Sequence, residues 1–428
     1  MNKNLLRWLS GWLAVAALLL TVSCHKKPAP DEGTEPPTGE STPVSEGTSE
    51  EGDSGSKPVE DSGKKPDEDP DKKPDVPQIQ YVESISTVEE LLAFVKSVNE
   101  DWRTYEGRTV TLKADLDLTG VSWEPIGNQV LKTEDNTREK FKWNAFDQDW
   151  GESSRPIIPI AFSGTFDGQG HKITGLDCTL SRDLSGFFGL LIGATVKDLG
   201  IEGTLKVKDQ GHYVGLMAGG AIRCRFENCY VKGTVEGVRE SKIDVNNVGG
   251  FVGGVSADKE EDVTELVNCY AVVNMTKASQ YTCGGMVGSV FGIKGNLTMT
   301  NCYADIRDIT AYDGLDNGCY QGAGLLIGYV EKATLNNCFA VTSGTACKTL
   351  VAPPCAGGTG LDMKTSLIAS AEAFRTAAAL LGDAYKTPAE DGYPVLKWEA
   401  VESKENPPPA SELVPKEEAE QTSPAQGA

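Results

Sequence analysis

The sequence predicts an all-β solenoid, in the form of a right-handed parallel β-helix, for residues 79–398. Three observations lead to this fold class. The triplet Asn-Cys-Tyr or Asn-Cys-Phe occurs four times, short apolar segments bracketed by glycine precede it, and repeat spacings vary from 23 to 40 residues. Short strands joined at glycine corners cannot bury their apolar face alone, whereas a stack of them can. A β-propeller is the alternative, but its blades need four strands at nearly constant spacing.

The N-terminus predicts export and a lipid anchor. Lys3 and Arg7 precede an apolar segment at 13–22, which is typical of a secretory signal and is too short to cross a bilayer. The following residues, up to Ser23 and Cys24, resemble the lipobox of bacterial lipoproteins. That resemblance implies a signal peptide over 1–24 that ends at the lipidated Cys24. Cleavage nearby by the ordinary signal peptidase is the alternative.

Two polar segments flank the predicted solenoid. Residues 25–78 consist almost wholly of Pro, Gly, Ser, Thr, Lys, Asp and Glu, and residues 399–428 have a similar acidic composition. Segments with so few apolar residues cannot bury enough surface to fold. We therefore expect 25–78 to be a disordered tether between the lipid and the folded body, and 399–428 to be a disordered tail.

A short helix is predicted at the start of the body. Thr87 and Glu90 have the spacing of a capping box, which predicts a helix over 88–98 with Leu91, Leu92 and Val95 on its buried face. A solenoid needs such an element to cover its open core. A second amphipathic helix is predicted over 371–381, and both are interpreted as caps.

An aromatic and acidic insertion at 128–155 interrupts the repeats. Aromatic rings can stack on sugar rings, and carboxylates can accept hydrogen bonds from hydroxyl groups or bind calcium with backbone carbonyls. The alternative is that the aromatic side chains pack inward over the first repeats. The candidate ligand-binding residues are Trp143, Phe146, Asp147, Asp149 and Trp150.

A structural column runs through the repeats. A small or apolar residue occupies one position of each repeat, at steps of 23, 30, 40, 33 and 36 residues. Four of these residues are cysteines, and because leucine takes the same position we expect them to act as small buried apolar groups rather than as disulfides. The column comprises Leu176, Leu199, Cys229, Cys269, Cys302 and Cys338.

The glycine-bracketed segments and the Asn-Cys-Tyr triplets together resemble the GLUG motif of bacterial surface lipoproteins, which was named in immunoglobulin A1 proteases. The segments 162–176, 110–127 and 392–398 are also similar to parts of such proteins. The resemblance implies a stack of GLUG coils. It implies no reaction, because the motif occurs in proteases and in proteins without activity alike.

Evidence for chemistry is sparse elsewhere. Cys347 and Cys355 flank a short segment and are the candidate disulfide, with free thiols as the alternative. No Cys-x-x-Cys pair or His-Glu-x-x-His motif is present, so we predict neither a metal site nor a catalytic site. Asp167 and His171 lie in a glycine-rich run that is interpreted as a turn.

Charge and composition bound the function. Net charge is −22, from 62 acidic and 40 basic residues, which excludes binding to nucleic-acid phosphates. We expect a monomer without a cofactor, apart from the calcium alternative, lipid-anchored to the outer membrane and exposed at the cell surface. Its predicted role is to bind a glycan or a surface protein, as an adhesin does. A polysaccharide lyase or glycosidase on the same scaffold is the alternative.

Overall fold

A computed structural model describes the folded body of the chain. The described residues are 80–132, 137–140, 157–180, 184–207, 213–237, 247–257, 262–276, 282–290, 296–310, 322–342, 360–364, 367–370, 374, 381–387 and 393–399. Two compact units divide at Val76, and every described residue belongs to the second unit. Several predicted features lie outside the described residues: Cys24, the tether, Trp143, Phe146, Asp147, Asp149, Trp150, Cys347, Cys355 and the tail beyond Glu399.

The body begins with β1 (Ser84–Ile85), α1 (Val88–Asn99), β2 (Thr109–Leu112) and β3 (Leu116–Asp117). The predicted capping box is present, since the Thr87 hydroxyl accepts from the Glu90 N–H and the Glu90 carboxylate accepts from the Thr87 N–H, each at 3.2 Å. Leu91 and Val95 are buried, but Leu92 is 40% exposed, so its predicted burial is wrong. The buried face instead follows the i, i+3, i+4 spacing through Phe94.

The predicted insertion is bounded by strands. β4 (Gln129–Lys132), β5 (Thr137–Lys140) and β6 (Ile157–Ile160) form a small antiparallel sheet in which β4 is central. Residues 141–156 lie between β5 and β6 and are not described. The segment that was predicted as one polar loop therefore begins with two paired strands, and β6 follows just after it.

The repeats supply parallel strands to three sheets. The strands are β7 (Thr165–Leu180), β8 (Leu184–Ser185), β9 (Phe188–Ile192), β10 (Thr195–Val207), β11 (Tyr213–Val214), β12 (Ala218–Ile222), β13 (Arg225–Glu227), β14 (Tyr230–Gly237), β15 (Val248–Gly249), β16 (Val252–Ser256), β17 (Thr264–Val267), β18 (Tyr270–Thr276), β19 (Thr282–Gly284), β20 (Val287–Val290), β21 (Leu297–Thr300), β22 (Tyr303–Thr310), β23 (Gly322–Gly324), β24 (Ile327–Val330), β25 (Lys332–Asn336), β26 (Phe339–Thr342), β27 (Gly360–Lys364) and β28 (Leu367–Ser370).

Each repeat adds one strand to each of two sheets and a pair of strands to the third. Two five-stranded sheets contain β8, β11, β15, β19 and β23 and, next along the chain, β9, β12, β16, β20 and β24. The remaining repeat strands join β1, β2, β3 and β7 in a fifteen-stranded sheet, hereafter the long sheet. Every pairing in these three sheets is parallel. The body is thus a β-rich stack of parallel strands with one regular helix among the described residues.

The glycine-bracketed segments form corners between the two five-stranded sheets. They were predicted to be strands, and this is correct for the segment at 189–193, which lies on β9 up to Ile192, but wrong for the first part of the later ones: β11 ends at Val214 and β12 begins at Ala218, so Gly215 and the next two residues form the turn. Gly249 and Gly284 are the equivalent residues of later repeats. A Cβ on Gly249 would lie 1.9 Å from the carbonyl oxygen of Val252, and a Cβ on Gly284 would lie 2.0 Å from that of Val287, in each case three residues further along the chain. Only glycine fits so tight a corner.

The column residues all lie in one core. Leu199 and the four column cysteines are fully buried in the same hydrophobic cluster, and the cysteines are free thiols. Leu176 is also buried there, but it pairs with Gly203 rather than with Leu199, so its place in the column register is wrong. β7 has three more residues than β10 between the pairs that start at Phe166 and end at Leu176, and this excess shifts the register.

A ladder of amide side chains runs beside the thiols. Asn228, Asn268, Asn301 and Asn337 all have φ between 51° and 54°, the left-handed region that Asn tolerates. Each Nδ2 donates to the previous Oδ1, at 2.9 Å from Asn268, 3.1 Å from Asn301 and 3.3 Å from Asn337. Asn228 in turn donates to Asp198 at 3.0 Å. The ladder fixes the bend between the two long-sheet strands of each repeat.

The C-terminal segment, here residues 381–387 and 393–399, contains β29 (Tyr385–Lys386) and β30 (Val395–Leu396), an antiparallel pair. It packs in a second hydrophobic cluster with Tyr230, Tyr270 and Tyr303. These tyrosines alternate with core residues along their strands, so the segment covers the outer face of the long sheet. Of the predicted second helix only Phe374 and Leu381 are described. No helix among the described residues is long and apolar enough to cross a membrane.

Candidate functional site

A stack of aromatic rings marks the outer face of the long sheet. Tyr230, Tyr270, Tyr303 and Phe339 pair in register on β14, β18, β22 and β26. The rings of Tyr230 and Tyr270 are 5.2 Å apart at 12°, and those of Tyr270 and Tyr303 are 4.7 Å apart at 2°. In-register parallel strands bring identical side chains over one another, which accounts for this face-to-face geometry.

The C-terminal segment is held on the stack by polar as well as apolar contacts. The Trp398 ring stacks on Tyr230 at 5.5 Å, and its Nε1 donates to the Asn228 carbonyl at 3.0 Å. The Tyr385 hydroxyl donates to the Asn301 carbonyl at 2.8 Å, and the Tyr303 hydroxyl donates to the Pro394 carbonyl at 2.6 Å. The segment is therefore tied to backbone carbonyls of two different repeats.

Glu399 is a buried carboxylate at the end of this segment. Its side chain accepts from the Tyr270 hydroxyl at 2.8 Å, from Lys232 Nζ at 2.9 Å and from the Leu396 N–H at 2.8 Å. Lys232 Nζ also lies 4.3 Å from the centre of the Tyr230 ring. Burial raises the pKa of Tyr270 well above its usual value, and the neighbouring Tyr303 and the Glu399 charge raise it further. Tyr270 is thus a neutral donor to a charged acceptor.

A cleft of about 370 Å³ lies between the segment and the long sheet. Its two charged lining residues are the cations Lys232 and Arg307, and its walls carry three tyrosines. No carboxylate occurs among the described residues that line it. The lining residues are Lys232, Gly233, Thr234, Tyr270, Val272, Val273, Asn274, Tyr303, Arg307, Tyr393 and Val395.

Arg307 enters the cleft from a β-bulge. Val273 pairs with Ile306 and Asn274 pairs with Asp308, so Arg307 is an extra residue on β22. Bulges redirect side chains and are frequent next to functional sites. Arg307 Nε lies 3.4 Å from the Asp305 carboxylate, and the Asp305 side chain is 1% exposed while that of Arg307 is 60% exposed. Asp305 is therefore a buried anchor for the guanidinium.

Several other acidic residues in the described part of the long sheet are engaged by partners. Asp167 pairs with Lys197 at 2.9 Å, and Arg225 bridges two carboxylates on neighbouring strands. Burial raises the pKa of Asp198, against the bond from Asn228 that lowers it. Among the described residues, no group of three or more His, Cys, Asp or Glu side chains is placed to hold a metal ion.

The glycine-rich run containing Asp167 and His171 was predicted to be a turn, but it lies within β7, where it forms an irregularity in the pairing with β10. The Asp167 carboxylate accepts from the Gln169 N–H at 3.1 Å, and Gln169 has φ of 52°. His171 does not contact Asp167; its Nδ1 lies 3.0 Å from the carboxylate of Asp115. The two residues therefore form no pair with each other.

Sequence reasoning missed the cleft. The predicted ligand-binding residues of the insertion lie outside the described residues, as does the candidate disulfide. A signal for the cleft was present nonetheless. The stretch 303–310 of β22 is one residue longer than the stretch 270–276 of β18 with which it pairs, and that excess residue is Arg307.

Comparisons with known proteins give one structural likeness. No protein-family model and no curated protein sequence matches the chain. Among solved structures, the chain is similar to a Bacteroides ovatus protein described as a candidate immunoglobulin A1 protease. The sequence identity is 16%, the TM-score is 0.44, and the match covers 74% of this chain and 92% of the other.

Proposed function

We propose that the chain is a lipid-anchored protein of the cell envelope that binds a glycan or another surface component without transforming it. Its body is taken to be a right-handed parallel β-helix of GLUG coils. The parallel pairing and the recurring Asn-Cys-Tyr triplets support this architecture. The signal-like segment ending at Cys24 and the polar tether support the anchor.

The cleft beside the tyrosine stack is the observation that carries the binding role. It combines aromatic walls with polar side chains from separate strands, such as Thr234 on β14 and Asn274 on β18. Ligand sites combine apolar walls with a few well-placed polar groups in this way. Rigid strands hold both polar residues, and the C-terminal segment supplies the facing wall through Tyr393.

The enzyme alternative has less support. Glycoside hydrolysis uses two carboxyl groups that face each other across the bond to be broken. The described lining of the cleft contains none, and the ion-paired carboxylates of Asp167 and Glu265 lie outside it. The insertion with Trp143 and Trp150 remains a predicted second contact region.

Glycan binding is tested on an array of neutral and acidic oligosaccharides with the full chain and with the double variant Thr234→Val/Asn274→Leu. We expect the affinity of the variant for the ligand to be at least about tenfold lower, because the hydrogen bonds from the Thr234 hydroxyl and the Asn274 amide to the ligand are removed. Thr298→Val on β21, outside the cleft, is the matched control and should bind as the unaltered chain does. An array on which the unaltered chain binds nothing contradicts the proposal.

The anchor has a separate test. Radiolabelled palmitate should be incorporated into the protein in cells, and Cys24→Ser should abolish the label, because the acyl chain is carried by that thiol. Cys178→Ser, which alters a buried cysteine of the body, is the control and should remain labelled. Unlabelled wild-type protein would refute the lipoprotein assignment.

A further inference from the structure

We infer that the cleft selects saccharides that carry a carboxylate, such as uronic or sialic acids, and that Arg307 is the residue that holds this carboxylate. The inference rests on the proposed glycan-binding function and adds the chemical class of the ligand. It starts from the bulge on β22, which places one guanidinium in an otherwise uncharged stretch of the cleft wall.

The guanidinium is oriented with most of its donors unused. Nε lies against the buried Asp305 carboxylate at 3.4 Å, and this is the contact that the described residues provide to the Arg307 head group. The two Nη groups therefore remain available at the exposed end of the side chain. A planar guanidinium with two parallel N–H donors matches the geometry of a carboxylate, which it binds through two hydrogen bonds.

The two cations supply the charged hydrogen-bond donors of the cleft. The hydroxyls of Tyr270 and Tyr303 already donate to Glu399 and to the Pro394 carbonyl, so they offer a ligand acceptors only. Lys232 is paired with Glu399 at 2.9 Å and Arg307 with Asp305 at 3.4 Å, and each cation has further N–H donors beyond that contact. An entering carboxylate thus meets the donors of these two side chains and no described carboxylate on the cleft lining.

The walls fit the rest of a sugar. Tyr393 is half-buried and borders the cleft from the C-terminal segment, and Val272 on β18 borders it from the long sheet. An aromatic ring can pack on the apolar face of a sugar ring, and Thr234 and Asn274 can bond its hydroxyls. A volume of about 370 Å³ lies in the range of small-ligand sites.

The test measures dissociation constants by calorimetry for two matched probe pairs: 3′-sialyllactose against lactose, and tri-galacturonate against its methyl ester. With the full chain we expect at least one acidic probe to bind about tenfold or more tightly than its neutral counterpart. Arg307→Lys keeps the positive charge but loses the two parallel N–H donors of the guanidinium. It should reduce the preference for the acidic probe to less than about threefold and leave the affinity for the neutral probe unchanged. Arg223→Lys, an exposed arginine paired with Asp262 elsewhere, is the control.

Two results overturn the inference, and they differ in what they say about the proposed function. Equal affinity for acidic and neutral probes, or an acidic preference that survives Arg307→Lys, refutes carboxylate selection while glycan binding stands. Failure of the array and of all four probes refutes both. Thermal melting of each variant separates lost binding from lost folding.

Discussion

The three residues of the Asn-Cys-Tyr triplet, at the junction of two long-sheet strands, serve three different surfaces. Asn268 bends the backbone at φ of 53° and continues the amide ladder, Cys269 points into the core, and Tyr270 joins the outer stack. Alternation of side chains along a strand accounts for the last two. The triplet therefore recurs because three separate stacks pass through it.

The amide ladder gives a prediction at this scale. Asn268→Ala removes a donor and an acceptor of the ladder and leaves a Cβ-bearing residue at positive φ without a compensating bond. We expect the free energy of unfolding to fall by about 2–3 kcal/mol. Asn268→Gly should recover about 1 kcal/mol of this, because glycine tolerates the backbone angle. Urea denaturation followed by circular dichroism measures both, and equal losses would show that the backbone angle carries no cost.

The buried cysteines of the column give a second prediction about stability. Cys269 is fully buried in the core, and burial raises the pKa of its thiol well above the usual value. Cys269→Ala should cost about 1 kcal/mol of unfolding free energy, whereas Cys269→Asp should cost more than about 3 kcal/mol, because a buried charge is left without a partner. The same denaturation experiment compares them. Similar stability of the two variants would mean that the column is open to solvent.

At the scale of elements, the glycine corners set the outline of each repeat. Gly284 lies where a Cβ would be 2.0 Å from the Val287 carbonyl oxygen, while Gly193 has φ of 64° and open space around a Cβ. Gly193→Ala therefore tests backbone strain alone and should cost about 1–2 kcal/mol. Gly284→Ala adds a clash between backbone atoms and should lower the melting temperature far more or prevent folding. Equal melting temperatures would show that the corner can widen.

Features that are determined by a few neighbouring residues could be predicted from the sequence, and features that depend on distant residues could not. The capping box of α1 and the Asn-Cys-Tyr strands were predictable, because each is determined by a few residues close in sequence. The register of Leu176 was not, since it depends on how many residues β7 carries beyond β10. The cleft depends on residues separated by more than 160 positions, such as Lys232 and Glu399, and no local pattern connects them.

At the scale of the whole body, the C-terminal segment packs on the long sheet and buries most of the tyrosine surface. Tyr230 contacts Trp398, and Tyr303 contacts both Tyr385 and Phe374. Burial, the largest cause in each case, raises the pKa values of Tyr230, Tyr270, Tyr303 and Tyr385 above the usual value for phenols. The body should therefore lose stability in alkali, with the tyrosines as the cause.

The sign and size of that loss follow from proton linkage. Below about pH 10 the four phenols are protonated in the folded and the unfolded chain alike, so they make stability independent of pH. Above it the unfolded chain releases protons that the folded chain retains, and the free energy of unfolding falls by about 1.4 kcal/mol per pH unit for each buried phenol. Absorbance of phenolate and the far-ultraviolet circular dichroism, recorded together from pH 9 to 12.5, should show these four tyrosines ionising only as the strands unfold. Tyr303→Phe removes one such proton and should make the fall in stability shallower. Ionisation of the four near pH 10 with unchanged circular dichroism would mean that the C-terminal segment lifts from an intact long sheet.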